Sequence, residues 1–152
     1  MEFSLSVFGK TRGYFKSFLD KLTLDDLNKI PDGFKNNIIW NIGHVVVTEQ
    51  LLLYRLSGLP TLVSEEVIEK YKVGTKPDKY VTQKEVDEIS ELLFTTINKT
   101  QEDYNNNKFV NYKEYTVSTT GDTLRNIDDA ISFALFHEGM HFGYILALRK
   151  SL

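Results

Sequence analysis

Two of the three histidines in this chain, His137 and His141, stand four residues apart in the string FHEGMHFGY. In a helix, residues i and i+4 share a face about 6 Å apart, so both imidazoles can point at one ion. In a strand they would share a face about 13 Å apart, too far for a common ion. The third, His44, sits in a separate apolar run, WNIGHVVVTEQLLLYRLS. Three neutral imidazoles leave a divalent ion its full charge and at least one open position, the pattern of a catalytic rather than a structural site. Such an ion lowers the pKa of a bound water or deprotonates a bound thiol. HEGMH also fits the letters of the zinc-protease motif, with Glu138 as base. That motif needs a third ligand and a cleft beside an edge strand, and this sequence offers no sheet to build one. The reading without a metal is that each histidine is a satisfied core residue, with His44 far from the pair.

By 100° steps, the helix face carrying His44 also carries Asn37, Trp40, Thr48, Leu51 and Arg55. The face carrying His137 and His141 also carries Asn126, Ala130, Phe133, Ala134, Tyr144, Ile145 and Leu148. Trp40, Thr48, Phe133 and Tyr144 are therefore candidates for the wall of a pocket. Arg55, about three turns from His44, could take a substrate carboxylate; the simpler reading is that it caps its helix in solvent. Glu49 and Glu138 are candidates for a base or proton shuttle. They point about 140° and about 100° away from their neighbouring histidines. Ordinary solvated or interhelical charges are the simpler reading for both.

Four long helical patterns position these residues. The first runs from Phe3 to Leu22. Thr23 then opens a short helix ending before Pro31. The second runs from Asn36 to Ser57, is apolar over more than half its circumference, and stops at Gly58 and Pro60. Residues 58–81 read as a long connection containing a short helix at SEEVIEKY. The third runs from Thr82 to about Asn106, opened by the capping box TQKE. Residues 108–122 look extended, a short strand or hairpin with no evident partner. The fourth runs from Thr123 to Arg149, with Asp128 and Asp129 early and Arg149 and Lys150 late, as the helix dipole favours. The expected fold is all-α: a four-helix bundle, one domain over residues 1–152, with a long crossover between the second and third long helices.

The composition narrows the chemistry. The 152 residues are 41% hydrophobic and 26% charged, as in ordinary globular domains. A net charge of −3 argues against a nucleic-acid partner, which needs a basic footprint. With no cysteine, disulfides, thiolate ligands and a cysteine nucleophile are excluded; any thiol must come from outside. No signal peptide and no membrane span are read, so the expected address is the cytoplasm. Exposed apolar faces in small bundles often pair, which makes a homodimer an expectation.

WNIGHVVVTEQLLLYRLSG and FHEGMHFGYILALRK, in that order and on those helices, resemble the DinB-like superfamily of small bacterial four-helix bundles, in its DinB_2 branch. GHVVVTEQ is similar to the family's histidine helix, and HFGYI to its H-x-G-Q-I ending, with Tyr144 where the family usually has glutamine. The resemblance implies a triad of His44, His137 and His141 on a divalent ion such as Zn²⁺ or Ni²⁺. It implies metal-dependent transfer involving a low-molecular-weight thiol as one activity; the chemistry of such a site, apart from the resemblance, also allows a metal-bound hydroxide to hydrolyse a small ester or amide. A metal- or ligand-binding protein without turnover, in a stress response, is the alternative.

Overall fold

The computed structural model describes residues 1–152. Its long helices are α1 (Glu2–Lys21), α3 (Ile38–Gln50, continued by a π-helical turn over Leu51–Arg55), α5 (Gln83–Asn105) and α6 (Ile127–Lys150). Two short helices, α2 (Leu24–Asn28) and α4 (Glu65–Tyr71), lie in the connections. α1 packs on α5 and α6, and α3 packs on the same two, so α1 and α3 lie on one diagonal of a four-helix bundle. The long connection after α3 carries α4, which packs on α3. No helix is long and apolar enough to cross a membrane.

Side chains set the helix starts by taking N–H groups that the first turn leaves unpaired. Thr23 with Asp26, and Thr82 with Glu85, form reciprocal capping boxes. Asn37 Oδ1 accepts the Trp40 N–H at 2.9 Å, and Asn126 Oδ1 accepts the Asp129 N–H at 2.9 Å. Each such cap stabilises its helix by about 1 kcal/mol. The two asparagines therefore fix where both histidine-bearing helices begin.

The structure corrects the sequence reading at two places. α6 starts at Ile127, not Thr123, because Thr123–Leu124 form strand β2 and pair antiparallel with β1 (Tyr115–Thr116). The partner that the extended segment lacked is thus supplied by residues read as helix. The second long helix also changes character at Leu51. The Leu56 N–H reaches back to the Leu51 carbonyl at 3.3 Å, a wide i→i−5 turn. That leaves the Leu52 carbonyl without its α-helical donor, and the Tyr112 hydroxyl donates to it at 3.1 Å. The segment before β1 is thereby tied over the π-turn.

The core is divided. One apolar cluster gathers Phe15, Phe18, Ile42, Val46, Leu93 and Ile145; the other gathers Leu5, Phe8, Leu53, Ile97, Ile131 and Ala134. Between them each long helix contributes buried polar residues: Arg12 from α1, Glu49 and Gln50 from α3, Thr96 and Thr100 from α5, Glu138 from α6. The histidines of α3 and α6 flank this same polar level.

Candidate metal centre

His44 of α3 and the His137, His141 pair of α6 come together. Ring centroids are 5.1 Å apart for His44 and His137, 4.9 Å for His44 and His141, and 4.4 Å for His137 and His141. Each ring offers a nitrogen, and the three nitrogens lie within 4.8 Å of one another. Nitrogens on a tetrahedral zinc ion would stand about 3.3 Å apart. Small ring rotations close the difference, so this donor set fits a divalent transition metal.

Two of the rings are held from behind. His44 Nδ1 is 2.7 Å from the Tyr71 carbonyl at the end of α4. A carbonyl only accepts, so Nδ1 carries the proton and Nε2 presents its lone pair. His141 Nδ1 is 2.7 Å from Asn41 Oδ1, while Asn41 Nδ2 donates to the Asn37 carbonyl at 2.7 Å. That second bond fixes which end of the Asn41 amide faces His141, and again leaves Nε2 free. Orienting bonds of this kind typically accompany histidines that ligate metals. The support runs further: Asn37 Nδ2 donates to the Asn28 carbonyl at 3.0 Å, and the Asn28 side chain holds both the N–H and the carbonyl of Val81.

Gly43 makes the His44 contact possible. A Cβ there would lie 2.6 to 2.8 Å from three atoms of the Tyr71 ring, closer than real carbon contacts come. Without a side chain at 43, Tyr71 packs flat on α3 and its carbonyl reaches the imidazole. On its other side His44 stacks on Trp40 at 4.7 Å, and the Trp40 Nε1–H donates to Thr75 Oγ1 at 3.1 Å.

Burial lowers the pKa of all three histidines. His137 falls to about 2, mainly through burial and then through His141 and His44; His141 falls to about 4, through burial and then His44. At neutral pH the rings are therefore uncharged, the form that binds metal.

A cavity of about 320 Å³ opens onto His44 and His137. Thr48 and Phe133 line it; Thr48 Oγ1 is 3.4 Å from His44 Nε2. Arg55, Ser118 and Thr119 add polar groups, the last two from the turn between β1 and β2. Sequence reasoning missed Ser118 and Thr119, because nothing local shows that their turn folds back on the bundle. Trp40 and Tyr144 take other places. Trp40 backs His44, whereas Tyr144 lines a separate recess beside His141 and packs edge-on against Phe34. A larger hollow, about 420 Å³ between α4 and α5, is rimmed by glutamates and contains none of the histidines.

Glu49 and Glu138 are not solvated charges: both are buried, and neither lines the cavity. They meet Arg12, which is fully buried and which sequence reasoning also missed. Arg12 Nη2 lies 2.5 Å from Glu138 and 3.8 Å from Glu49, and Nη1 lies 3.5 Å from the Leu93 carbonyl of α5. Glu49 also accepts from Thr100 at 2.5 Å and from Gln50 at 3.0 Å. Burial pushes the Glu138 carboxyl up, while the Arg12 guanidinium pulls it back toward the ionised form. One guanidinium thus joins all four long helices.

The DinB superfamily model matches residues 8–145 of the chain. The chain belongs to the DinB superfamily. A crystal structure described as a conserved protein from Enterococcus faecalis is similar to this DinB-superfamily chain at a TM-score of 0.64 and 17% identity, covering 98% of this chain and 94% of that one. At that identity the likeness speaks for the fold. No curated protein sequence matches this member of the superfamily.

Proposed function

We propose that His44, His137 and His141 hold one divalent transition metal ion, Zn²⁺ or Ni²⁺, and that the centre serves a transfer reaction on a small molecule. The observation that carries this reading is the pair of Nδ1–H bonds, from His44 to Tyr71 and from His141 to Asn41, which turn Nε2 of both rings outward. An imidazole serving only as a core residue needs no such shared aim. When bound, the ion supplies a Lewis-acidic position that stabilises a thiolate or a hydroxide. Thr48 borders that position and can hydrogen-bond a ligand there, while Phe133 and Leu52 exclude water from one side.

The absence of a carboxylate from the cavity lining favours thiol transfer over hydrolysis. Hydrolysis calls for a general base or proton shuttle within reach. Glu49 and Glu138, the nearest carboxylates in sequence, are committed to Arg12. A thiolate nucleophile needs no such partner once it is deprotonated, and with no cysteine in the chain it would be an external low-molecular-weight thiol. Metal or ligand binding without turnover is the second reading.

Elemental analysis of untagged protein beside a His141→Ala variant tests the centre. The expected outcome is about one equivalent of a transition metal in the parent and none in the variant. A parent without metal that also takes up neither added Zn²⁺ nor added Ni²⁺ would refute it. Turnover of thiol and electrophile by the loaded protein then separates transferase from binding protein.

A further inference from the structure

Arg55 is the single charged residue among those lining the cavity that opens on His44 and His137. The walls between are apolar: Leu51, Leu52, Leu56 and Val73. The π-turn ends on Arg55 and supplies Leu51 and Leu52 of that wall. π-turns occur mostly as single-turn insertions inside α-helices, frequently at functional sites. Arg55 is half-exposed and pairs through Nη2 with Glu65 of α4, itself largely exposed. An exposed pair of this kind holds its partners weakly. It also engages one nitrogen of a guanidinium that carries five N–H donors.

We infer that Arg55 forms an anion subsite, and that the cavity takes a small molecule with a metal-binding atom at one end and a carboxylate at the other. This rests on the metal reading above and adds a substrate class to it. The three histidines are uncharged, so a divalent ion keeps its full positive charge at the inner end. Arg55 places a second positive charge at the outer end, and no carboxylate lines the space between. Eleven residues of helix separate His44 from Arg55, roughly 16 Å of rise. Side chains on a helix lean toward its N-terminus, so Arg55 can reach back along the cavity toward His44 and shorten the bridged span to on the order of 10 Å. The matching ligand is therefore an extended amphipathic acid whose apolar middle lies on the leucines. A planar guanidinium suits a carboxylate better than an ammonium would, because two parallel N–H bonds fit its two oxygens.

The test uses the full chain loaded with Co²⁺, whose absorption reports both the metal and a thiolate bound to it. Mercaptohexanoate and mercaptohexanol, equal in length and differing in end-group charge, are titrated against the parent, Arg55→Gln and Arg55→Lys. The acid should bind the parent about tenfold more tightly than the alcohol. Arg55→Gln should reduce that preference to less than about twofold, with alcohol binding unchanged, and Arg55→Lys should retain part of it. Mercaptopropionate, too short to bridge the two ends, should show no preference over its alcohol. Equal binding of the long acid and alcohol by a cobalt-loaded parent, or a preference that survives Arg55→Gln, overturns the subsite and leaves the metal centre standing. Failure to take up cobalt overturns the centre and the subsite together.

Discussion

Gly43 has no side chain, and the Tyr71 ring fills the space one would need. Adding one methyl group must push Tyr71 off α3 and draw its carbonyl away from His44. Gly43→Ala should therefore lower zinc affinity by roughly 10- to 100-fold, the usual effect of losing the group that orients a ligand. It should also destabilise the apo fold by about 1–3 kcal/mol through overpacking. Competition against a chromogenic chelator reads the first and urea unfolding the second; unchanged zinc affinity would show that the Tyr71 carbonyl does not set the ring. The His137 and His141 pair could be found from spacing, because i,i+4 on a helix is a local rule, whereas the meeting with His44 could not. The hydrogen-bond acceptors behind them could not: Tyr71 comes from a different helix and acts through its backbone, which no residue type advertises. Nor could the burial of Glu49 and Glu138 be read, since the charge that draws them inward sits on α1.

Helix ends were readable where a side chain closes on its own backbone. The cap at Thr23, and the capping box at Thr82 that starts α5, follow from three or four adjacent residues. The start of α6 did not, because Thr123–Leu124 answer to β1, a partner outside the local window. The π-turn left no mark in the periodicity of LLLYRLS, whose leucines suit either winding. The far end of α3 is joined to the end of α5 by another device of this nonlocal type. The Tyr54 hydroxyl donates to Asp103 at 3.0 Å, and Lys99 and Lys108 each approach the same carboxylate to 2.7 Å. Burial pushes the Asp103 carboxyl up, but Lys108, Lys99 and Tyr54 together hold it below its ordinary value. A folded-state pKa below the unfolded one means that stability is present above the ordinary carboxylate value and lost as pH falls through the folded one. Asp103→Asn should accordingly cost about 1–3 kcal/mol at neutral pH. Its denaturation midpoint should converge on that of the parent below about pH 4. A gap that stays constant down to acid pH would assign the loss to packing instead.

Across the whole bundle, Arg12 meets polar partners on all three other long helices. Removing one member of a buried ionic group strands the rest, which typically costs 3–5 kcal/mol, whereas removing the stranded charge as well restores much of the loss. Arg12→Met should lower the unfolding free energy by about 3–5 kcal/mol. Adding Glu138→Gln in that background should return part of it, and strictly additive losses in urea melts would argue against a shared charge balance. The same arrangement has a bearing on how the chain is made. Arg12 leaves the ribosome early and Glu138 late, and at 5–20 residues per second the interval is roughly 6–25 s. Throughout that wait the polar level of the bundle lacks a member, and Arg12 has only the more distant Glu49 as a counter-charge. Final closure therefore waits until α6 has been synthesised, and a nascent chain stalled before α6 is the form in which this protein should most need a chaperone.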